Sequence, residues 1–170
     1  SLEGANILVL PDTPSIQLEL SELQRVRAIT LSNTTGGDGT AMVLDMDAGA
    51  VRDVSDNDMP GVQGTLLEES DDIVIPSLLR ARVNYSTGAL VLVVDETVDT
   101  TPTSNVAPSN IFASDEAGAF GVSLVGATVL QHASGKDTNE VTLMMTELQR
   151  VTAMALAGTP GGDGGAVFLD

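Results

Sequence analysis

The sequence predicts an all-β protein, an antiparallel β-sandwich with one short helix per repeat. Three observations lead there. Short apolar or alternating runs recur at even spacing between turns rich in Gly, Pro, Asn and Ser, as in sheets packed face to face. Aromatic residues make up only 2 % of a chain that is 42 % hydrophobic, so the core must be Val, Leu, Ile, Ala and Met. The third observation is an internal repeat of domain size.

The repeat centres on Ser21-Glu22-Leu23-Gln24-Arg25-Val26, which returns as Thr146-Glu147-Leu148-Gln149-Arg150-Val151. Residues 16–45 align with 141–170 at an offset of 125, with 16 identities in 30 positions. Gly36-Gly37-Asp38-Gly39 and Gly161-Gly162-Asp163-Gly164 are among them. Ser1-Leu2-Glu3-Gly4-Ala5 matches Ser123-Leu124-Val125-Gly126-Ala127 at an offset of 122, so the later copy holds three extra residues between Leu130 and Val141. A period of 122–125 residues exceeds the roughly 20–50 of solenoids and propeller blades and matches a domain of about 100–150. The chain therefore reads as a window on a domain array. Residues 1–58 read as the C-terminal part of one copy and residues 59–170 as the N-terminal and middle part of the next. Such a window is expected to be incompletely folded at one end.

In chain order, residues 7–10 form a short apolar run and residues 16–20 alternate apolar with polar; both predict strands. Ser21 followed by Gln24 has the spacing of a capping box, and Leu23, Val26 and Ala28 supply one apolar face of a helix of about two turns. Thr146 and Gln149 repeat the device. The glycines of residues 36–39 end the helical stretch, and residues 41–46 form the next strand. The polar segment 53–61 is the predicted boundary between copies. The new copy opens with residues 72–75. A hairpin follows, with strands at 79–84 and 89–94 about the turn Tyr85-Ser86-Thr87-Gly88. The Thr, Ser and Pro content up to Ser109 predicts a loop, and short strands follow near 110–113, 119–124 and 127–131.

Seven Lys plus Arg against 24 Asp plus Glu leave a formal charge of −17, which opposes binding to phosphate backbones and anionic lipid. Nucleic acid is not an expected partner. The longest apolar run, residues 89–94, falls far short of the roughly 20 residues of a membrane span, so no membrane insertion is expected in this segment. With no Cys there is neither a disulfide nor thiolate chemistry.

The run Ser86-Thr87-Gly88-Ala89-Leu90-Val91-Leu92-Val93-Val94-Asp95-Glu96-Thr97-Val98-Asp99 resembles a segment of the tandem immunoglobulin-like repeats of large extracellular surface, adhesin and filament proteins of algae, other protists and bacteria. The strand followed by a Ser-Glu or Thr-Glu helix fits the same family. So does the copy ending Ala50-Val51-Arg52-Asp53-Val54-Ser55-Asp56-Asn57, although Asp56 stands where the family usually has Gly. Val93 or Val94 likewise stands where a Phe is usual. The resemblance implies an immunoglobulin-like sandwich in an extracellular structural or adhesive array.

Among candidate sites the acidic loops come first. Asp53, Asp56, Asn57 and Asp58 lie together at the predicted junction and could supply oxygen ligands to calcium; the same residue types also build local turns. Glu68, Glu69, Asp71 and Asp72 form a second cluster, and Asp95, Glu96 and Asp99 a third. Asn33-Thr34-Thr35 and Asn84-Tyr85-Ser86 are N-glycosylation acceptors, and the Thr and Ser of residues 97–109 suit O-glycans. Both Gly-Gly-Asp-Gly stretches lack the Lys and Ser or Thr of a phosphate-binding loop and read as tight turns. His132, the single His, has no evident catalytic partner. The expectation is therefore no enzyme and no cofactor beyond calcium. The chain is expected to be a structural module of an extracellular or cell-surface filament, hair or coat, partnered by neighbouring repeats in a homopolymer or fibre. The alternative is a calcium-assisted adhesin module binding carbohydrate or protein.

Overall fold

A computed structural model describes residues 1–8, 14–119, 121–132, 137–165 and 167–169. The chain is mostly β, its sheets are small and antiparallel, and it falls into two compact units, Ser1–Val74 and Ile75–Asp170.

In the first unit, β1 (Asn6–Leu8) pairs with β2 (Gln17–Glu19), so that Asn6 faces Glu19 and Leu8 faces Gln17. Helix α1 (Glu22–Thr30) follows at once, with Ser21 as N-cap and the full capping box in place. After the glycine turn, β3 (Val43–Met46) pairs with β4 (Val62–Leu66). The sequence did not announce β4, because Gly64 interrupts its apolar pattern. Gly64 sits at φ 70° in a register shift of the β3–β4 ladder, and its N–H donates to Asp45 Oδ1 at 2.7 Å. Residues 9 and 10 of the predicted first strand lie outside the described residues.

In the second unit, β5 (Leu78–Asn84) and β6 (Ala89–Val98) make the predicted hairpin. Strand β6 runs four residues beyond the predicted 94, held at its far end where Val98 faces Thr138. The loop that follows contains two short 3₁₀ turns, Thr103–Asn105 and Pro108–Asn110. Then come β7 (Phe112–Ser114), β8 (Val122–Ser123), β9 (Thr128–Leu130), β10 (Thr138–Met144), helix α2 (Glu147–Ala155) and β11 (Phe168–Leu169). One sheet has the order β5-β6-β10-β9 and the other β11-β7-β8. Leu90, Leu92 and Leu143 of the first sheet, Ala113 and Val122 of the second, and Ala153 of α2 share one core. Residue 120 of the predicted strand at 119–124 lies outside the described residues.

The division at Val74 falls later than the predicted junction at 58/59 for two reasons. Strand β4 belongs to the β3 ladder, and the acidic segment after it is bonded back onto the first unit. Glu69 accepts from the N–H groups of Asn33 and Met42, Asp71 from that of Thr35, and Asp72 pairs with Arg25. Residues 72–75 accordingly form no strand, and Ile73 and Ile75 stand exposed.

The repeat is visible in the backbone. Strands β9 and β10 are the counterparts of β1 and β2 at offsets of 122 and 125, and they pair in the same register: Thr128 faces Met144, and Leu130 faces Thr142. The two copies differ in what lies on the other edge. Strand β10 also pairs with β6, whereas β2 has no second strand among the described residues. Burial follows this difference. Val141, Leu143 and Leu124 are 7 %, 0 % and 0 % exposed, and their counterparts Ile16, Leu18 and Leu2 are 57 %, 42 % and 44 % exposed.

Truncating a fully buried Leu removes transfer energy and leaves a cavity, so Leu143→Ala is expected to destabilise the second unit by about 2–5 kcal/mol. Leu18→Ala is expected to change the first unit by no more than about 0.5 kcal/mol. Tyr85, the single Tyr in a chain without Trp, reports on the second unit by fluorescence during denaturation.

Candidate functional sites

In the acidic loop weighed as a calcium site or a local turn, the Asp53 carboxylate is engaged by the loop's own backbone. Asp53 Oδ1 accepts from the N–H groups of Ser55 and Asn57, both at 2.8 Å, and Oδ2 accepts from Asn57 Nδ2 at 2.9 Å. The side-chain amide of Asn57 is the main cause that holds the Asp53 carboxyl below its usual range, with the two N–H groups adding to it. Asp56 adopts φ 64°, the left-handed conformation that Gly usually supplies. Asp58 accepts from Arg52 Nε at 2.9 Å, and Asp56 lies 3.7 Å from the same guanidinium. The arrangement is an Asx turn braced by one Arg. Among the described residues no group of three or more His, Cys, Asp or Glu side chains is placed to hold a metal ion.

The other acidic clusters are used in the same way. Arg25 bridges Glu22 and Asp72; the Glu22 bond contributes most to raising its pKa further above the ordinary range. The N–H of Val74 is the first cause that lowers Asp72. Asp95 accepts from the N–H of Ser77 at 2.7 Å and Asp99 from that of Thr101 at 2.8 Å, while Asp99 Oδ2 takes Asn105 Nδ2 at 2.6 Å.

Asn33 is exposed in the turn after α1. Asn84 is exposed at the end of β5, and its Oδ1 accepts from Ser86 N at 2.9 Å, which fixes the hairpin turn. A glycan joined at Nδ2 leaves that acceptor free. His132 is exposed just beyond β9. The glycine turns have positive φ at Gly36, Gly39, Gly161 and Gly164, and a Cβ on Gly162 would lie 1.8 Å from Ala157 O, so the loops are closed turns rather than cradles.

One pair of residues has a role that sequence reading reached only in part. Gln24 and Gln149 each complete a capping box: Gln24 Oε1 accepts from Ser21 N at 2.9 Å, and Gln149 Oε1 from Thr146 N at 2.8 Å. The amide nitrogen at the other end of each side chain ties the helix to the strand entry. Gln24 Nε2 donates to Glu3 O at 3.0 Å, and Gln149 Nε2 to Val125 O at 2.8 Å and to Ser123 O at 2.9 Å. Glu3 and Val125 are counterparts in the repeat. The signal in the sequence was Gln, not Glu, in both copies: either residue caps a helix, but only the amide also donates.

Each unit carries an open groove. In the first, about 600 Å³ is lined by Pro14, Ile16, Val51, Val54 and Met59 beside the acidic loop. In the second, about 420 Å³ is lined by Leu78, Leu92, Val94, Ile111, Val141 and Leu169, with the bonded pair Asp99 and Asn105 at its rim. Among the described residues no helix is long and apolar enough to cross a membrane. Comparison with family models, with curated proteins and with solved structures finds no match for this chain.

Gln149→Glu keeps the cap but sets a buried carboxylate against two carbonyl oxygens. The substitution is expected to destabilise the second unit by about 2–4 kcal/mol, above the range for an ordinary unsatisfied polar group. The denaturation midpoint followed through Tyr85 checks it.

Proposed function

We propose that this chain is a structural repeat module of a large extracellular tandem-repeat protein that builds a filament, hair or surface coat. The observation that carries the reading is the repeat itself. Two copies share the helix cap, the strand register and a glutamine tie to the same counterpart carbonyl, Glu3 O in one and Val125 O in the other, with the same offsets of 122 and 125. An array of one repeated folded unit suits a protein whose task is to set length and stiffness. The acidic surface suits solubility at high copy number. Exposed Asn33 and Asn84 are accessible to glycosylation outside the cell.

The complete repeat in this reading is an immunoglobulin-like sandwich assembled from what the two units each hold in part. Strands β3 and β11 are counterparts at an offset of 125; β3 pairs with β4, and β11 pairs with β7. Merging them gives a sheet of order β4-β3-β7-β8 to lie against β5-β6-β10-β9, four strands in each. The groove at Leu169 then borders the place of the β4 counterpart.

Electron microscopy of the native parent material tests the proposal. Regular fibres with an axial repeat of one domain per period are expected; dispersed flexible single chains would point to the adhesive alternative.

A further inference from the structure

We propose that residues 68–72 of the first unit are a releasable strap that holds a reserve of chain length ahead of the second unit. The strap itself stands on contacts inside one unit; its use, as give in a filament under tension, rests on the repeat-module reading. After β4 the N–H of Leu67 still donates to Met42 O at 3.0 Å, as a last rung beyond the β3–β4 ladder. Past Leu67 the hold changes in kind. Glu69 reaches two places, Oε2 accepting from Asn33 N at 3.2 Å and Oε1 from Met42 N at 3.3 Å. Asp71 Oδ1 accepts from Thr35 N at 2.9 Å, and Asp72 pairs with Arg25 of α1. Side-chain carboxylates make each of these contacts.

Three features make the strap easy to lift. None of residues 68–76 is buried, and Ile73, Val74 and Ile75 are 87 %, 67 % and 81 % exposed, so no apolar anchor opposes release. Segments with few buried apolar contacts open at the low end of a protein's free-energy range. Glu68, Glu69, Asp71 and Asp72 crowd like charges together, and their repulsion favours an extended, solvated chain. The strap also spans rather than fills: an open cleft of about 190 Å³ is lined by Leu67 and Glu69 together with Ala28, Ile29 and Met42. Release leaves the strands intact, because β4 ends at Leu66 and β5 starts at Leu78. The second unit takes hold of the chain at Ser77, whose N–H donates to Asp95 Oδ1 at 2.7 Å while its carbonyl accepts from Asp95 N at 3.1 Å. With the strap docked, residues 73–76 lie between the ties at Asp72 and Ser77; with it lifted, residues 68–76 lie between Leu67 and Ser77. The five residues 68–72 then come free, about 17 Å of extended chain at roughly 3.4 Å each.

The test is residue-resolved amide hydrogen exchange on the 170-residue chain. Asn33, Thr35 and Met42 donate to the strap from separate points, so a strap that lifts as one gives their amides a common protection, at least about tenfold below that of the β3–β4 ladder amides. Asp71→Ala removes only the Thr35 contact, yet it is expected to speed exchange at Asn33 and Met42 as well, by at least about fivefold, with the ladder unchanged and Asp71→Asn restoring most of the protection. Exchange of the three amides at the ladder rate in the unmodified chain overturns the proposal, because the segment then opens only with the whole unit. Asp71→Ala acting on Thr35 alone overturns it too. The unmodified chain decides the matter even where that variant unfolds the unit. Magnetic-tweezer stretching of the same chain reads the length: a reversible step of about 17 Å before either unit unfolds is expected, and its absence overturns the reserve. Native material without fibres would remove the filament reading and leave the strap, whereas fibres from a chain without the step would remove the strap and leave the filament.

Discussion

The helix caps at Ser21 and Thr146 would be ordinary surface features were it not for the glutamine that completes each one. A two-turn helix has little stability of its own and must be held by something outside it. Gln149, buried, uses its oxygen to close the helix N-terminus and its nitrogen to hold the backbone between β8 and β9. One planar amide thus fixes where the chain leaves β10, where the helix starts and how the preceding turn lies under it. The Gly-Gly-Asp-Gly turn and the strand after it follow from that placement.

The same tie in the first unit, Gln24 to Glu3 O, operates beside a sheet that has two strands among the described residues. Local geometry is therefore set within each copy by the cap and the glutamine tie, while the burial of Leu18 or Leu143 depends on a partner strand. Cap and register are alike in the two units; exposure is not. Hydrogen bonds specify the skeleton here, and in the second unit the β5–β6 hairpin joins β7, β8, β10 and α2 in supplying the apolar core.

Sequence reading found what short-range chemistry encodes. The caps, the positive-φ glycines, the hairpin about Asn84 and the mostly β, antiparallel character were all legible, because each is written within a few residues. Strand β4 was not, since Gly64 broke its alternation and its partner β3 lies some 20 residues back. Glu68, Glu69, Asp71 and Asp72 read only as an acidic cluster, and the structure uses Glu69, Asp71 and Asp72 on N–H groups and Arg25 of a distant stretch. Asp53 to Asp58 could be read either way from composition; in the structure Asp53 forms an Asx turn with Asn57, and Asp56 and Asp58 face Arg52. The far end of β6 needed Thr138, beyond any local pattern.

The central claim is that the two units are one fold seen with and without its hairpin. Residue-resolved hydrogen exchange on the unmodified chain tests it most directly. The account predicts that outward amides of Val141–Met144 exchange at least about a hundredfold more slowly than their counterparts at residues 16–19. Equal protection in the two strands would contradict it, since β2 would then have a partner that the repeat does not supply.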